Sequence, residues 1–234
     1  MLVSEIIQRV QSLYSKGVQS DDSKLSSRHI YNKILSVRSR LIVQSSKQRQ
    51  KLSQWYYVTL PCVELTPAQK YECPCLPAIG CTILKSKHAL PKPLVNLSQH
   101  LIKSVTSLDG QVVYSTSTFE DQKYKKGRKY TSGQPDYWIR DGYLFTEHRK
   151  GPKVVSIEIL PQDPAEALAY PSFCGVSETS CISPLDLEFA MDNDKIDTLI
   201  ELSLKELMIG FGPTMGDDIS NDTKDSKAND PRTK

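Results

Sequence analysis

The chain has 234 residues, of which 38% are hydrophobic and 24% charged, and its formal net charge at pH 7 is +3. This composition is typical of a folded globular protein and excludes a fibrous or fully disordered chain. The length allows one or two domains with a hydrophobic core, and the small net charge excludes a strongly basic nucleic-acid-binding protein. No apolar run approaches the ~18 residues of a membrane-spanning helix, so no membrane partner is expected.

Two helices are predicted at the start of the chain. The first covers residues 4–16, with Ser4 as its cap, and its apolar residues recur at helical spacing. The second covers residues 27–51, but its apolar stripe stops after Val43. A helical segment without an apolar face projects into solvent or is held by another subunit. We therefore expect a subunit interface at the basic residues of this second half, which are Lys47, Arg49 and Lys51.

A region of β-strands is predicted from residue 55 onwards. WYYVTLPCVEL is aromatic and β-branched, and DGQVVYSTSTFED begins with a turn and continues as a strand. Asp141-Gly142 between two alternating segments predicts a hairpin. Gly151-Pro152 then turns the chain into a third strand, Val154 to Leu160, so the pattern predicts a three-stranded meander.

The chain returns to helix near its C-terminus. Ile196, Leu199, Ile200, Leu204 and Leu207 fall at helical spacing, and Gly210, Gly212 and Pro213 are expected to end that helix. The predicted fold class is α+β: a helical bundle from N-terminal and C-terminal helices with an inserted, mostly antiparallel β region. The predicted units are a first bundle part (1–54), an inserted β-rich domain (55–182), a second bundle part (183–212) and an extended C-terminal tail (213–234).

Six cysteines raise the question of a metal site or disulfides, and four of them lie close together at positions 62, 73, 75 and 81. The start MLVSEIIQRVQ carries Glu5 and does not resemble a signal peptide, so a reducing compartment is expected, where disulfides rarely persist. Structural zinc is bound by two closely spaced ligand pairs, and the spacing C-x10-C-x-C-x5-C does not supply them. We therefore expect the cysteines to be packing residues, with no metal and no cofactor.

No catalytic motif is recognisable, and the chain is not expected to be an enzyme. The four histidines, at positions 29, 88, 100 and 148, are scattered rather than grouped with a nucleophile or a carboxylate. Asp192-Asn193-Asp194 resembles the start of a calcium loop, but Asp197 occupies the place of the required glycine, and helix capping explains the acidic residues better.

Positive charge is concentrated in two segments, 24–51 and 122–130. No acidic residue occurs between Asp22 and Glu64, and QKYKKGRKY interleaves basic residues with tyrosines. Such a pattern is typical of non-specific contact with a phosphate backbone, although an ordinary solvated loop remains the alternative. The candidate DNA-facing or interface residues are Lys123, Lys125, Lys126, Arg128 and Lys129.

Two stretches of the chain resemble structural proteins of tailed phages. They are KIDTLIELSLKEL with the later DDISNDTKD, and SEIIQRVQSLYSKGVQSDDSKLSSRHIYNKILSVRSRLI leading into LPCVEL. Together they resemble a ring or adaptor protein of the head-to-tail connector of crAss-like, short-tailed bacteriophages. The resemblance implies a homo-oligomeric ring of twelve subunits in the virion, at the portal and tail vertex, made in the host cytoplasm. The implied partners are the chain itself, the portal protein, other connector or tail proteins, and genomic DNA passing through the lumen.

The resemblance also implies a role for the polar C-terminal segment in docking to the portal. The candidate docking residues are Phe211, Met215, Asp217, Asp218 and Ile219. A tail that only increases solubility is the alternative. For the whole chain, the alternative function is that of a non-specific nucleic-acid-binding accessory protein that uses the basic segments 24–51 and 122–130.

Overall fold

The computed structural model of the chain describes residues 1–15, 25–48, 50–68, 83–96, 99–121, 124, 127, 129–130, 133–147, 153–171, 173–174 and 183–211. Over these residues the α-helices are α1 (Val3–Tyr14), α2 (Ser27–Lys47), α3 (Pro164–Leu168) and α4 (Asn193–Phe211), with 3-10 turns at Gln54–Tyr56 and Pro184–Asp186. The strands are β1 (Val58–Pro67), β2 (Ile83–Ser86), β3 (Val95–Asn96), β4 (Gln99–His100), β5 (Ile102–Ser107), β6 (Ser115–Thr116), β7 (Asp136–Arg140), β8 (Tyr143–Glu147) and β9 (Val154–Ile159).

A seven-stranded sheet is the largest unit of the fold, with the strand order β5-β9-β1-β2-β8-β7-β6. Neighbouring strands are antiparallel except β6 and β7, which are parallel. Alternate residues of the strands point into one hydrophobic interior, which contains the fully buried Val63, Leu144, Val155 and Ile157. The predicted fold class, a helical bundle with an inserted β region, is therefore wrong, because the sheet is the main body and the helices are the smaller part.

The segment 112–116 brings the sheet close to a closed barrel. On one side the Tyr114 N–H donates to the Val105 carbonyl of β5 at 2.9 Å, and on the other the Ser115 N–H donates to the Pro135 carbonyl beside β7 at 3.0 Å. One short segment thus contacts both edges of the sheet, and the strands curve around a common interior as in a barrel. The edge backbone at residues 105–107 is thereby paired within the chain rather than open to another chain.

The hairpin of β7 and β8 forms at the predicted turn, where Asp141 and Gly142 have φ angles of 52° and 78°. Both central residues lie in the left-handed region, as a tight two-residue hairpin turn requires. The meander prediction is wrong, because β9 does not pair with β8. It lies between β1 and β5, where Ile157 is opposite both Leu60 and Val105. The local sequence pattern specifies a strand at β9, but its partners are chosen by long-range packing of buried side chains.

Helices α1, α2 and α4 pack together into a second hydrophobic core. Ile6, Ile34 and Leu199 are among its fully buried members, one from each helix, and Tyr56 and Leu160 join it from the β region. We refer to these three helices as the helical layer. Its hydrophobic cluster is separate from the one inside the sheet, so the described chain has two main packing centres.

Helices α1 and α2 lie on opposite flanks of α4. Arg9 of α1 pairs with Asp197 at 2.9 Å, whereas Lys33 of α2 pairs with Glu206 at 2.7 Å. Asp197 and Glu206 are nine residues apart, which is about 2.5 turns of an α-helix, so they point in opposite directions. The buried residues of α4 lie on the side between them, where α1 and α2 both pack.

The bounds of the helices differ modestly from the predicted ones. Ser4 does not cap α1, which begins at Val3 after Leu2; the Leu2 N–H donates to the Glu5 carboxylate at 2.9 Å instead. Helix α2 ends at Lys47 rather than at residue 51, and α4 extends through Gly210 to Phe211. None of the helices in the described residues is long and apolar enough to cross a membrane.

Candidate interface surfaces

The basic segment 122–130 follows a rigid base on the outer face of β7. The Ser117 N–H donates to the Tyr137 carbonyl at 2.9 Å, which fixes the backbone before the segment. The Phe119 ring lies 6.3 Å from the Trp138 ring, and the guanidinium of Arg140 lies 5.7 Å from the Phe119 centroid. Phe119, three residues before the basic segment, is therefore held against the sheet by aromatic and cation–π contacts.

The same outer face continues across β8 and β2 as a row of aromatic and basic side chains. Trp138 stacks on Phe145 at 5.9 Å between ring centroids, and Lys85 Nζ lies 3.8 Å from the Tyr143 centroid. Sequence reasoning did not identify this row, although the alternation in DYWIRDGYLFTE places its β7 and β8 members on one face. Trp138 and Phe145 are buried, so their rings support the face rather than stack on bases.

Of the five residues predicted to face DNA, the structure describes Lys129. It is exposed, and its Nζ lies 5.4 Å from the ring of Tyr130, which is 85% exposed. Tyr124 is also exposed. Exposed tyrosines beside cations suit contact with a nucleic-acid backbone and its bases. The other four predictions, Lys123, Lys125, Lys126 and Arg128, lie outside the described residues.

The residues predicted as a subunit interface lie at and beyond the end of α2. Lys47 is the last residue of the helix and is exposed, as is Lys51, while Arg49 lies outside the described residues. A tryptophan that sequence reasoning read only as part of a strand lies close behind them. Trp55 is in the 3-10 turn Gln54–Tyr56, and 69% of it is exposed. A large exposed aromatic side chain such as Trp55 is typical of a protein interface, and nearby lysines can add charge contacts at its rim.

Arg38 of α2 is fully buried where the helical layer meets the sheet. It donates to three backbone carbonyls: Ala190 at 3.0 Å, Pro161 at 3.0 Å and Tyr56 at 3.4 Å. Burial lowers the pKa of its guanidinium to about 10, so it stays protonated at neutral pH. Sequence reasoning counted Arg38 as part of a basic surface, and the structure makes it an internal cross-link instead.

Two tyrosine–carboxylate pairs surround Arg38. The Tyr31 hydroxyl donates to the Asp163 carboxylate at 2.8 Å, and the Tyr56 hydroxyl is hydrogen-bonded to Asp192. Burial, followed by the neighbouring carboxylate, raises the pKa of each phenol, so both remain neutral donors. The network therefore connects α2 to the residues that follow β9 and to those that precede α4.

Cys62 and Cys174 form a disulfide, with 5.6 Å between their Cα atoms. Cys62 lies at an irregularity of β1, between Leu60 and Val63, where its φ is 59°, and its carbonyl accepts from the Phe173 N–H at 3.1 Å. The expectation that no disulfide forms is therefore wrong for this pair: it rests on a reducing compartment, whereas the fold places these two cysteines, 112 positions apart, within bonding distance. Cys73, Cys75, Cys81 and Cys181 lie outside the described residues.

In the described part of the chain, no group of three or more histidine, cysteine or acidic side chains is placed to hold a metal ion. His29, His88 and His100 lie in α2, after β2 and in β4, while His148 is outside the described residues. The predicted portal-docking residues begin at Phe211, where α4 ends. Met215, Asp217, Asp218 and Ile219 lie outside the described residues.

Comparison with known proteins gives one family. The family model described as phage tail ring protein 2 matches residues 5–230, nearly the whole chain. No curated protein matches the chain significantly. The family match agrees with the resemblance that the two ends of the sequence carry, and it makes the protein a component of the virion. The chain belongs to the phage tail ring protein 2 family and is a ring protein of a crAss-like phage.

Proposed function

We propose that the chain assembles with copies of itself into a ring of the portal–tail connector, and that DNA passes through the lumen of this ring. The observation that carries the proposal is the family match over residues 5–230, which includes both the helical layer and the sheet. On this account the role is structural, with no catalytic step. The C-terminal segment after Phe211 docks to the portal, and the ring contains twelve copies.

The surfaces proposed for self-association and for contact with DNA lie in different parts of the fold. The residues just before the basic segment 122–130 pack on the outer face of the sheet through Phe119, which suits a surface that keeps its position while DNA moves past it. Contacts with a moving duplex must be independent of sequence, and lysine or arginine contacts to phosphates have this property. The end of α2 lies in a different part of the fold and carries the candidate subunit interface.

A free nucleic-acid-binding protein is the competing function, and the structure removes part of its support. In the segment 24–51, Arg38 is buried, while Lys33 and Arg40 both contact Glu206. Three of the positive charges that made this segment basic are therefore engaged within the chain. Among the described residues of this segment, the exposed basic side chains that remain include Arg28 near the start of α2 and Lys47 and Lys51 at and after its end.

Mass photometry combined with DNA binding distinguishes the two functions. Without any DNA, a connector ring gives a particle whose mass is a whole multiple, greater than one, of the 26.3 kDa chain. Neutralising Lys125, Lys126, Arg128 and Lys129 to glutamine leaves that mass unchanged, weakens DNA binding and flattens its salt dependence. A protein that stays monomeric and binds DNA through this segment supports the accessory function and contradicts the ring.

A further inference from the structure

The two flanks of the helical layer carry surfaces of opposite charge. The basic flank consists of Lys47, Lys51 and Trp55, at the end of α2 and in the turn that follows it. Both lysines are exposed, and Trp55 is 69% exposed. This surface thus combines a large apolar group with two positive charges.

The acidic flank lies beside α1 and consists of Leu2, Leu185, Asp186 and Glu188. The backbone joins these residues: the Val3 N–H donates to the Leu187 carbonyl at 3.0 Å, and Leu2 forms an isolated β-bridge with Glu188. Leu2 and Leu185 are each 39% exposed, and Asp186 is also exposed. The Glu188 side chain is 80% exposed and pairs with the N-terminal ammonium at 4.0 Å. This surface thus combines exposed leucines with negative charges.

The basic flank follows α2 and the acidic flank lies beside α1, and these two helices pack on opposite flanks of α4. Helix α1 pairs with α4 through Asp197 and α2 pairs with it through Glu206, and these two carboxylates point in opposite directions from the α4 axis. A ring made from one kind of chain needs such an arrangement, because each copy presents one surface to the copy before it and a different surface to the copy after it.

We infer that the basic flank of one copy docks on the acidic flank of its neighbour in the ring. In this contact Trp55 packs against the exposed leucines Leu2 and Leu185, while Lys47 and Lys51 face Asp186 and Glu188. The inference rests on the proposed ring and names the surfaces that form it. Trp55 is the apolar anchor of the contact, and the charge pairs around it set the order and direction of the copies.

Charge reversal tests the contact directly. Lys47→Glu with Lys51→Glu places acidic groups against the intact acidic flank, and Asp186→Lys with Glu188→Lys places basic groups against the intact basic flank. Like charges facing each other across an interface weaken assembly by about a hundredfold or more. Each double variant alone therefore remains monomeric at concentrations where the wild-type ring forms. Lys153→Glu, an exposed charge reversal beside the sheet, is the matched control and assembles like the wild type.

Mixing the two double variants is the decisive experiment. In a ring in which the two variants alternate, every basic or acidic flank that was reversed faces a neighbour of the opposite charge. We expect the equimolar mixture, and the variant that carries all four substitutions, to regain rings by mass photometry. Trp55→Ala weakens assembly about thirtyfold, the effect of losing an interface anchor. Phe173→Ala removes another exposed aromatic ring and leaves assembly unchanged.

The outcomes separate this contact from the proposed function. If the wild type forms rings and both double variants also do so, the named surfaces are wrong while the ring stands. Far-UV circular dichroism shows whether each double variant is folded. If both are folded and monomeric, and their mixture also forms no rings, the pairing of these two flanks is wrong. If the wild type remains monomeric at its highest soluble concentration, both the ring and the contact are contradicted.

Discussion

The interior of the sheet and the core of the helical layer are built from different chemistry. The sheet encloses a predominantly apolar interior in which Val63, Leu144 and Val155 are fully buried. The helical layer is also apolar at its centre, but where it meets the sheet it contains a fully buried arginine, Arg38, bonded to three carbonyls. Burial of apolar side chains stabilises the fold but is non-directional, so it does not fix how two elements are oriented. A hydrogen-bonded guanidinium, in contrast, requires its partners at fixed positions. The helices are therefore oriented on the sheet by polar contacts.

The largest effect is expected inside the sheet. Ile157 is fully buried on β9, between Leu60 and Val105, and Ile157→Ala leaves a cavity at that point. We expect the free energy of unfolding to fall by about 4 kcal/mol in a urea titration. Ser156→Ala, on the opposite face of the same strand, is the control and changes the value by less than about 0.5 kcal/mol. Equal losses for the two variants would show that β9 does not lie in the interior.

The next largest effect is expected for Arg38, whose hydrogen bonds join the helical layer to the sheet. Arg38→Met fills much of the same volume but leaves the carbonyls of Tyr56, Pro161 and Ala190 without their donor, and we expect a loss of about 3 kcal/mol in the free energy of unfolding. Arg40→Met is the matched control on the same helix. Arg40 is half exposed and pairs with Glu206, so its loss costs less than about 1 kcal/mol. If the two variants lose the same stability, Arg38 does not join the helices to the sheet.

A smaller effect is expected for the cross-link of the sheet to the segment after α3. Replacing Cys62 and Cys174 by serine removes a bond between residues 112 positions apart, and we expect a loss of about 2–3 kcal/mol in the oxidised protein. Peptide mapping without reductant should recover the Cys62–Cys174 pair from the wild type. The disulfide is refuted if that pair is absent and the double variant is as stable as the oxidised wild type.

The smallest effect concerns pH and the outer surface of the helical layer. Hydrogen bonds from Lys33 and Arg40 lower the pKa of the Glu206 carboxyl below its ordinary value. Because the folded-state pKa is the lower one, the ionised carboxylate stabilises the fold above the unfolded pKa of about 4.3, and this stabilisation is lost as the pH falls through the folded pKa. Glu206→Gln should cost less than about 1 kcal/mol at neutral pH.

This pH dependence is measured by comparing the unfolding free energies of both proteins between neutral pH and pH 3. The difference between the wild type and Glu206→Gln should shrink toward the acidic end, as the carboxylate of folded Glu206 becomes protonated. Glu201→Gln, an exposed change on the same helix, should show a smaller difference throughout. A Glu206 difference that grows on acidification would contradict the assigned ion pairs.

Local features of this fold could be predicted from the sequence, and long-range ones could not. The Asp141-Gly142 turn and the helix through Leu199 depend on residues close to them in the sequence, so the local sequence pattern was enough to predict both. The fold class was misjudged because β2, β5 and β6 are separated along the chain, and their common sheet depends on pairings that no local pattern reveals.

For the candidate interface surfaces, too, the sequence reveals local charge patterns but not which side chains are buried or exposed. A cluster of charge such as 122–130 can be found in the sequence, and so can the polar end of α2 with Lys47 and Lys51. The sequence could not show that Arg38 is buried or that Trp55 is exposed, because both depend on which elements pack together. The family was recognisable from both ends of the chain, and the match over residues 5–230 confirms it.

Negative-stain electron microscopy of the purified wild-type protein tests the central claim, self-association into a ring, most directly. We predict class averages of annular particles with rotational symmetry and a central hole wide enough for duplex DNA. Globular particles of the size of one 26.3 kDa chain at every concentration, with no annular class, would contradict it.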